Sequence, residues 1–75
     1  MIHNLKIDRE AFIEISEGRR KFEFRPNDRI YTIGDTIIHN DEIYNTCESV
    51  ITHIMYDSPL LSLSGFIIIS IELIK

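Results

Sequence analysis

Apolar and polar residues alternate along this chain with two different periods, and the changes of period mark its elements. From Ile2 to Ile7 the period is two. Leu5 and Ile7 fall on one side and Lys6 on the other, which predicts a short strand. Asp8 then offers a carboxylate to an orphan backbone N–H, as a helix N-cap does. Glu10 falls in the first turn, where the helix dipole favours negative charge. Ala11, Phe12, Ile15 and Ser16 share one helical face, and Glu10, Glu14 and Glu17 make the other. Gly18 supplies a terminating residue free to take positive φ, so the predicted helix runs from Arg9 to Glu17.

The period returns to two from Arg20 to Arg25. Phe22 and Phe24 face one way; Lys21, Glu23 and Arg25 face the other. Pro26-Asn27-Asp28 reads as a turn, because proline presets φ and Asn and Asp bond their own backbone. A second short strand is predicted over Arg29 to Ile33, a turn at Gly34-Asp35, and a third strand over Thr36 to Ile43. Tyr44-Asn45-Thr46 is a connection. Glu48 to Tyr56 is β-branched and strand-like, Asp57-Ser58-Pro59 ends it, and Pro59 to Gly65 is a loop or one helical turn. Phe66 to Ile74 is the last strand, apolar on both faces through Ile69, as in a strand covered on both sides. Leu73 and Ile74 would alternatively lie on an open edge, which invites a homodimer through Phe66–Ile74.

One helix among so many strands excludes a βαβ-wound sheet. The expected fold is α+β: a small, curled, mostly antiparallel sheet with the early helix plugging one opening. At 75 residues the chain is a single domain, 1–75. A chain this short buries only about 60% of its unfolded surface. Cys47 is the only cysteine, so no intrachain disulfide staples it. The opening Met-Ile-His-Asn-Leu-Lys lacks the layout of a signal peptide. The longest apolar run falls well short of the roughly 18 residues of a membrane span. A cytoplasmic location is therefore expected.

Net charge is −4, which opposes non-specific phosphate binding. The distribution changes that picture. Glu17 to Arg29 holds five cations against three acids, a local balance of +2 that leaves −6 on the rest of the chain. His3, His39, His53 and Cys47, with Asp41 or Glu42, show none of the local pair spacings of zinc sites, so no metal and no cofactor is expected. Cys47 reads as a small buried hydrophobe. No Gly-rich phosphate loop or Ser-His-Asp motif is readable. On residues alone, Lys21, Glu23 and Arg25 are a salt-bridge ladder on a solvated sheet face.

The pattern His3-Asn4-Leu5-Lys6-Ile7, Phe12, Ile15, Gly18-Arg19-Arg20-Lys21-Phe22-Glu23-Phe24-Arg25, Asn27-Asp28-Arg29, Tyr31 and Gly34-Asp35, with a closing apolar strand, resembles the ASCH domains of the PUA-like superfamily. More narrowly, it resembles a small bacterial and phage branch of them. The resemblance spans nearly the whole chain. It implies a small PUA-like β-pseudobarrel with an early helix, shortened near Tyr44–Glu48 or Pro59–Gly65. It also implies an RNA- or nucleoside-binding module with its cleft beside the strand after the helix. The site residues are then Arg20, Lys21, Glu23, Arg25, Arg29 and Tyr31. Lys21 and Arg25, about 7 Å per pair of residues along one face, would meet phosphates. Glu23 would accept from a base edge, and Tyr31 would stack on an unpaired base.

Some small ASCH-like enzymes remove an acyl group from a modified cytidine with a lysine and a threonine three residues later. Those positions carry Arg20 and Glu23 here. Guanidinium does not give up its proton in proteins and a carboxylate is no hydroxyl nucleophile, so catalysis is not expected. Lys21 would point to the opposite strand face, and the later acid would be Glu48 or Glu72. The alternative to RNA or a modified nucleoside is a protein partner. A tiny acidic domain of phage-inhibitor type would act through the helix face Glu10, Glu14, Glu17 or through an edge strand. No membrane partner is expected.

Overall fold

In a computed structural model the described residues are 1–43, 45–55 and 65–74. They form, in order, β1 (Ile2–Lys6), α1 (Arg9–Ser16), β2 (Phe22–Pro26), β3 (Thr36–Asn40), β4 (Thr46–Met55) and β5 (Phe66–Leu73). The expected turn Asp57-Ser58-Pro59 and the loop after it lie outside the described residues.

The helix forms where its signals predict. The Asp8 carboxylate accepts the Ala11 N–H at 2.8 Å, and Glu10 sits in the first turn. Ala11, Phe12 and Ile15 are buried, whereas Ser16 is exposed. At the other end Gly18 takes φ 76°. Its N–H bonds Ile15 O and the Arg19 N–H bonds Glu14 O, the paired closure of a Schellman motif. Replacing Asp8 by Ala should lower stability by about 1 kcal/mol, with Asp8→Asn close to wild type. Urea midpoints check it; equal losses for both would mean that capping is not what Asp8 contributes.

The sheet is mixed, with strand order β1-β3-β4-β5-β2. β1 pairs parallel with β3, and β3–β4, β4–β5 and β5–β2 pair antiparallel. β1 and β2 are the two ends of that order, yet Arg25 Nη1 donates to Lys6 O at 3.2 Å. The sheet therefore curls into a half-barrel whose edges nearly meet. An extra residue in β4, between Ile51 and His53, resets the register against β5. Such bulges increase local twist. The core collects Leu5, Ile15, Tyr31, Ile37, Ile51, Ile67, Ile69 and Ile71.

Several expectations are corrected by packing. Arg29–Ile33 forms no strand. Ile30 and Ile33 are exposed, and Tyr31 alone turns inward. The segment is held by the Asp35 carboxylate, which accepts the Thr32 N–H at 3.0 Å and His3 Nε2 at 2.8 Å. β3 stops at Asn40 rather than Ile43. The Asp41 carboxylate draws the backbone into a turn by accepting the Ile43 and Asn45 N–H groups at 3.0 and 2.8 Å. β4 starts two residues early, at Thr46, opposite Asn40. β5 is internal: over Phe66–Ser70 it is bonded to β2 on one side, and over Ile68–Leu73 to β4 on the other. Edge pairing through Phe66–Ile74 has no free ladder over most of that strand, which removes the physical route proposed for a homodimer there.

Candidate ligand-binding cleft

The largest departure from expectation is the face that β2 turns inward. In an antiparallel ladder, paired residues point to the same side. Glu23 lies opposite Ile69 and Arg25 opposite Ile67, and both isoleucines are core. The charged face of β2 is therefore the inner one. Phe22 and Phe24 are half exposed on the outside, where Phe24 stacks on Phe66 at 4.8 Å. The solvated salt-bridge ladder is thereby overturned, since Glu23 is buried.

Where the edges of β1 and β2 approach without pairing, they leave a cleft of about 240 Å³. Its walls are Lys6, Ile7, Asp8 and Ala11 on the β1–α1 side, and Arg20, Glu23, Phe24 and Arg25 on the β2 side. Lys21 O and the Asn27 N–H are bonded toward β5. With period two, the main-chain groups of Phe22 and Phe24 point the other way, into the gap between the edges. Arg20 is anchored at the rim by the Glu14 carboxylate.

The floor is electrostatically unusual. The Glu23 side chain is 5% exposed and makes no hydrogen bond among the described residues. Its oxygens lie 3.8 Å from Arg25 Nη1 and 3.9 Å from His39 Nδ1. Burial pushes its pKa up, against the lowering pull of Arg25 and Arg20, and Asp8 adds a further push upward. Behind it His39 is fully buried, with Nε2 3.1 Å from Ser49 Oγ. Burial, then the Arg25 charge, holds its pKa down at about 4, so the imidazole is neutral at pH 7. Burial and the Glu23 charge push the Cys47 thiol up, away from the reactive thiolate. Among the described residues two buried side-chain nitrogens, Arg25 Nε and His39 Nδ1, have no hydrogen-bond partner.

The row Glu23–His39–Ser49 has the order of an acid, a base and a nucleophile. Ser49 has no exposed surface, so its hydroxyl meets no substrate. The row instead supports the floor of the cleft from behind.

Of the residues singled out by sequence, Arg20, Glu23 and Arg25 converge on this cleft. Lys21 lines an adjoining hollow of about 180 Å³ with Gly18, Arg20, Glu72 and Leu73, so the two spaces share Arg20. Arg29 is exposed, 4.0 Å from Asp28. Tyr31 is 3% exposed in the core, its ring 4.7 Å from that of His3, and offers no face for stacking on a base. Glu48 is exposed, away from the cleft lining. Sequence reasoning passed over His39, Ser49 and Asp8 as site neighbours. Ile37-Ile38-His39 alternates with period two, which would have placed His39 on the core face beside Ile37.

A larger depression of about 470 Å³ runs along Asn4, Leu5, Lys6, Asn40, Asp41 and Thr46. The polar groups of Asn40 and Asp41 are already spent within the chain: Asn40 Nδ2 donates to Leu5 O and Ile38 O, and Asp41 binds Asn45 and Arg9. The hydrogen bonds from Asn45 and Ile43, with Arg9 nearby, outweigh the effect of burial and hold the Asp41 carboxyl below its ordinary range.

Residues 2–71 match the family described as domain of unknown function DUF3850. The chain belongs to the DUF3850 family. No curated protein matches it. In this DUF3850 domain the match extends from β1 through most of β5, so both walls of the cleft fall within it. No helix among the described residues is long and apolar enough to cross a membrane.

Proposed function

We propose that this domain is an RNA- or nucleoside-binding module of PUA-like, ASCH type, working in the cytoplasm without a cofactor and without catalysis. The observation that carries the proposal is the Glu23 carboxylate: nineteen-twentieths buried, without a hydrogen bond among the described residues, and lining a cleft. The two carboxylate oxygens are not among the sealed polar atoms, so a ligand entering the cleft can donate to them. Cations surround the entrance. Arg20 and Arg25 line the cleft and Lys21 lines the hollow beside it, a placement suited to a phosphate on either side of a bound base. Arg29 stands apart as an outer contact for a longer strand.

The protein-partner alternative has less to draw on. Glu14 and Glu17 on the acidic helix face are neutralised by Arg20 and Arg19. The test is a titration of labelled single-stranded RNA at 50 and 200 mM salt. Affinity should fall with salt, and Lys21→Ala should make the log–log slope shallower by about 0.7, the value of one phosphate contact on a single strand. Absence of binding at the lower salt would end this reading and favour a protein partner.

A further inference from the structure

The outer face of β2 carries rings where its inner face carries charge. Paired residues of an antiparallel ladder share a side. The register of β2 on β5, and of β5 on β4, therefore sets Phe24, Ile68 and Met55 in one row across the outside of three strands. Phe22 stands in the row on one side of it and Phe66 in the row on the other. Phe22 and Phe24 are 51% and 52% exposed and Met55 45%, and the Phe24 ring stacks on that of Phe66 at 4.8 Å. Among the described residues no carboxylate stands in these three rows. An exposed apolar patch rimmed by polar residues marks an interaction surface.

Charge and continuity say what covers it. The Arg20 guanidinium carbon lies 5.7 Å from the centroid of the Phe22 ring. Arg20 and Lys21 line the hollow at that end of β2, together with Glu72, the next acid along β5. The segment Glu17–Arg29, which supplies both Phe22 and Phe24, has a balance of +2. A polyanion answers that charge, whereas a second copy of the chain brings the same charge with it. The patch is also continuous with the cleft. Phe24 belongs to the cleft lining and to the outer stack, and Arg20 belongs to the lining and lies over the Phe22 ring. A strand held in the cleft thus meets these rings as it leaves.

We infer that the outer face of β2 and β5 is a stacking platform for single-stranded RNA, where bases beyond the one in the cleft lie on Phe22 and on the Phe24–Phe66 pair. Arg20 and Lys21 then stand beside the phosphates that join the two sites. The choice of RNA as occupant rests on the binding reading above; the position of the platform does not. Every base has a π-face, so stacking of this kind tolerates any sequence and adds affinity with length. The cleft holds one base and the platform holds the strand that follows it.

The test titrates the intact domain with a labelled uridine octamer, read by anisotropy, and with free UMP, read by NMR shifts. Phe22 lies outside the cleft lining. Phe22→Leu keeps an apolar side chain and removes the ring, so it should weaken the octamer at least about fivefold and leave UMP unchanged. The salt slope should stay that of wild type, because a stacked ring releases no counterions. Phe22→Tyr keeps the ring and should bind the octamer as wild type does. Ile43→Ala, 57% exposed in the turn after β3, is the control and should change neither probe. Circular dichroism checks each fold, and the Leu and Tyr variants together separate loss of the ring from loss of packing. Octamer affinity equal in wild type and Phe22→Leu would overturn the platform and leave the cleft reading standing. So would an equal loss for octamer and UMP, which would place the effect of Phe22 in the cleft. A dimer in light scattering that Phe22→Leu dissociates, with octamer affinity unchanged, would give the face to a second copy instead. Neither probe bound at low salt would remove platform and cleft reading together.

Discussion

Ile37→Ala should cost about 3 kcal/mol of folding stability, enough to leave this domain marginal. Ile37 has no exposed surface and sits in β3 between the parallel β1 and the antiparallel β4. Truncating a fully buried isoleucine removes its transfer free energy and leaves a cavity, typically about 2–5 kcal/mol together. At about 0.05–0.15 kcal/mol per residue, a chain of 75 residues holds only some 4–11 kcal/mol in all. The loss should appear as a large drop in urea midpoint with little change in slope. Ile33→Ala is the control. Ile33 is 60% exposed in the segment between β2 and β3, and its truncation should change stability by no more than about 0.5 kcal/mol. Equal losses at the two sites would mean that Ile33 packs in solution as the strand its sequence suggests.

Acidification should destabilise the domain between pH 6.5 and about 4, well before most carboxylates titrate. Buried His39 has its pKa lowered from 6.5 to about 4. In that window the unfolded chain takes up a proton that the native imidazole refuses. Stability is thus complete above pH 6.5, falls with pH, and levels off near pH 4. Between 6.5 and about 4, at 1.36 kcal/mol per pKa unit, the loss is roughly 3 kcal/mol. Glu23 acts in the opposite sense. Its folded pKa is raised above 4.5, so the native state takes the proton first and gains stability as pH falls through that higher value. Below pH 3.8 a separate loss begins at Asp35, whose carboxyl is held at about 2 by its His3 hydrogen bond, against the effect of burial and with help from the N-terminal amine and Thr32. The groups facing His39 are Glu23, Arg25, Ser49 and Cys47. Urea midpoints at pH 7, 5.5 and 4.5 for wild type and His39→Asn separate these contributions: the variant should lose the slope above pH 4.5. Parallel curves would show that His39 does not titrate in this way.

Local signals were legible where the physics is local. Asp8, Glu10 and Gly18 act within one or two turns of backbone, and each takes the place expected of it. The β-branched and apolar runs at Thr36, Val50 and Phe66 became strands for the same reason, with ends displaced where a side chain intervened, as Asp41 does. Tyr31 and Arg29 were misread because alternation alone cannot say whether a strand has a neighbour to bond. No strand forms at that segment, and the one inward residue became core.

By itself, the sequence determined one capped helix, the strands around it and a concentration of cations just beyond the helix. All of these depend on interactions spanning a few residues. Which face of β2 turns inward was decided only by its register on β5, a pairing of residues forty or more positions apart in which Glu23 falls opposite Ile69. That long-range ladder buried a carboxylate, set it before a neutral His39 and left it open to a gap between two edges that do not pair with each other. A period of two can say that Glu23 and Phe24 face opposite ways, but only the strand alongside can say which of them faces in.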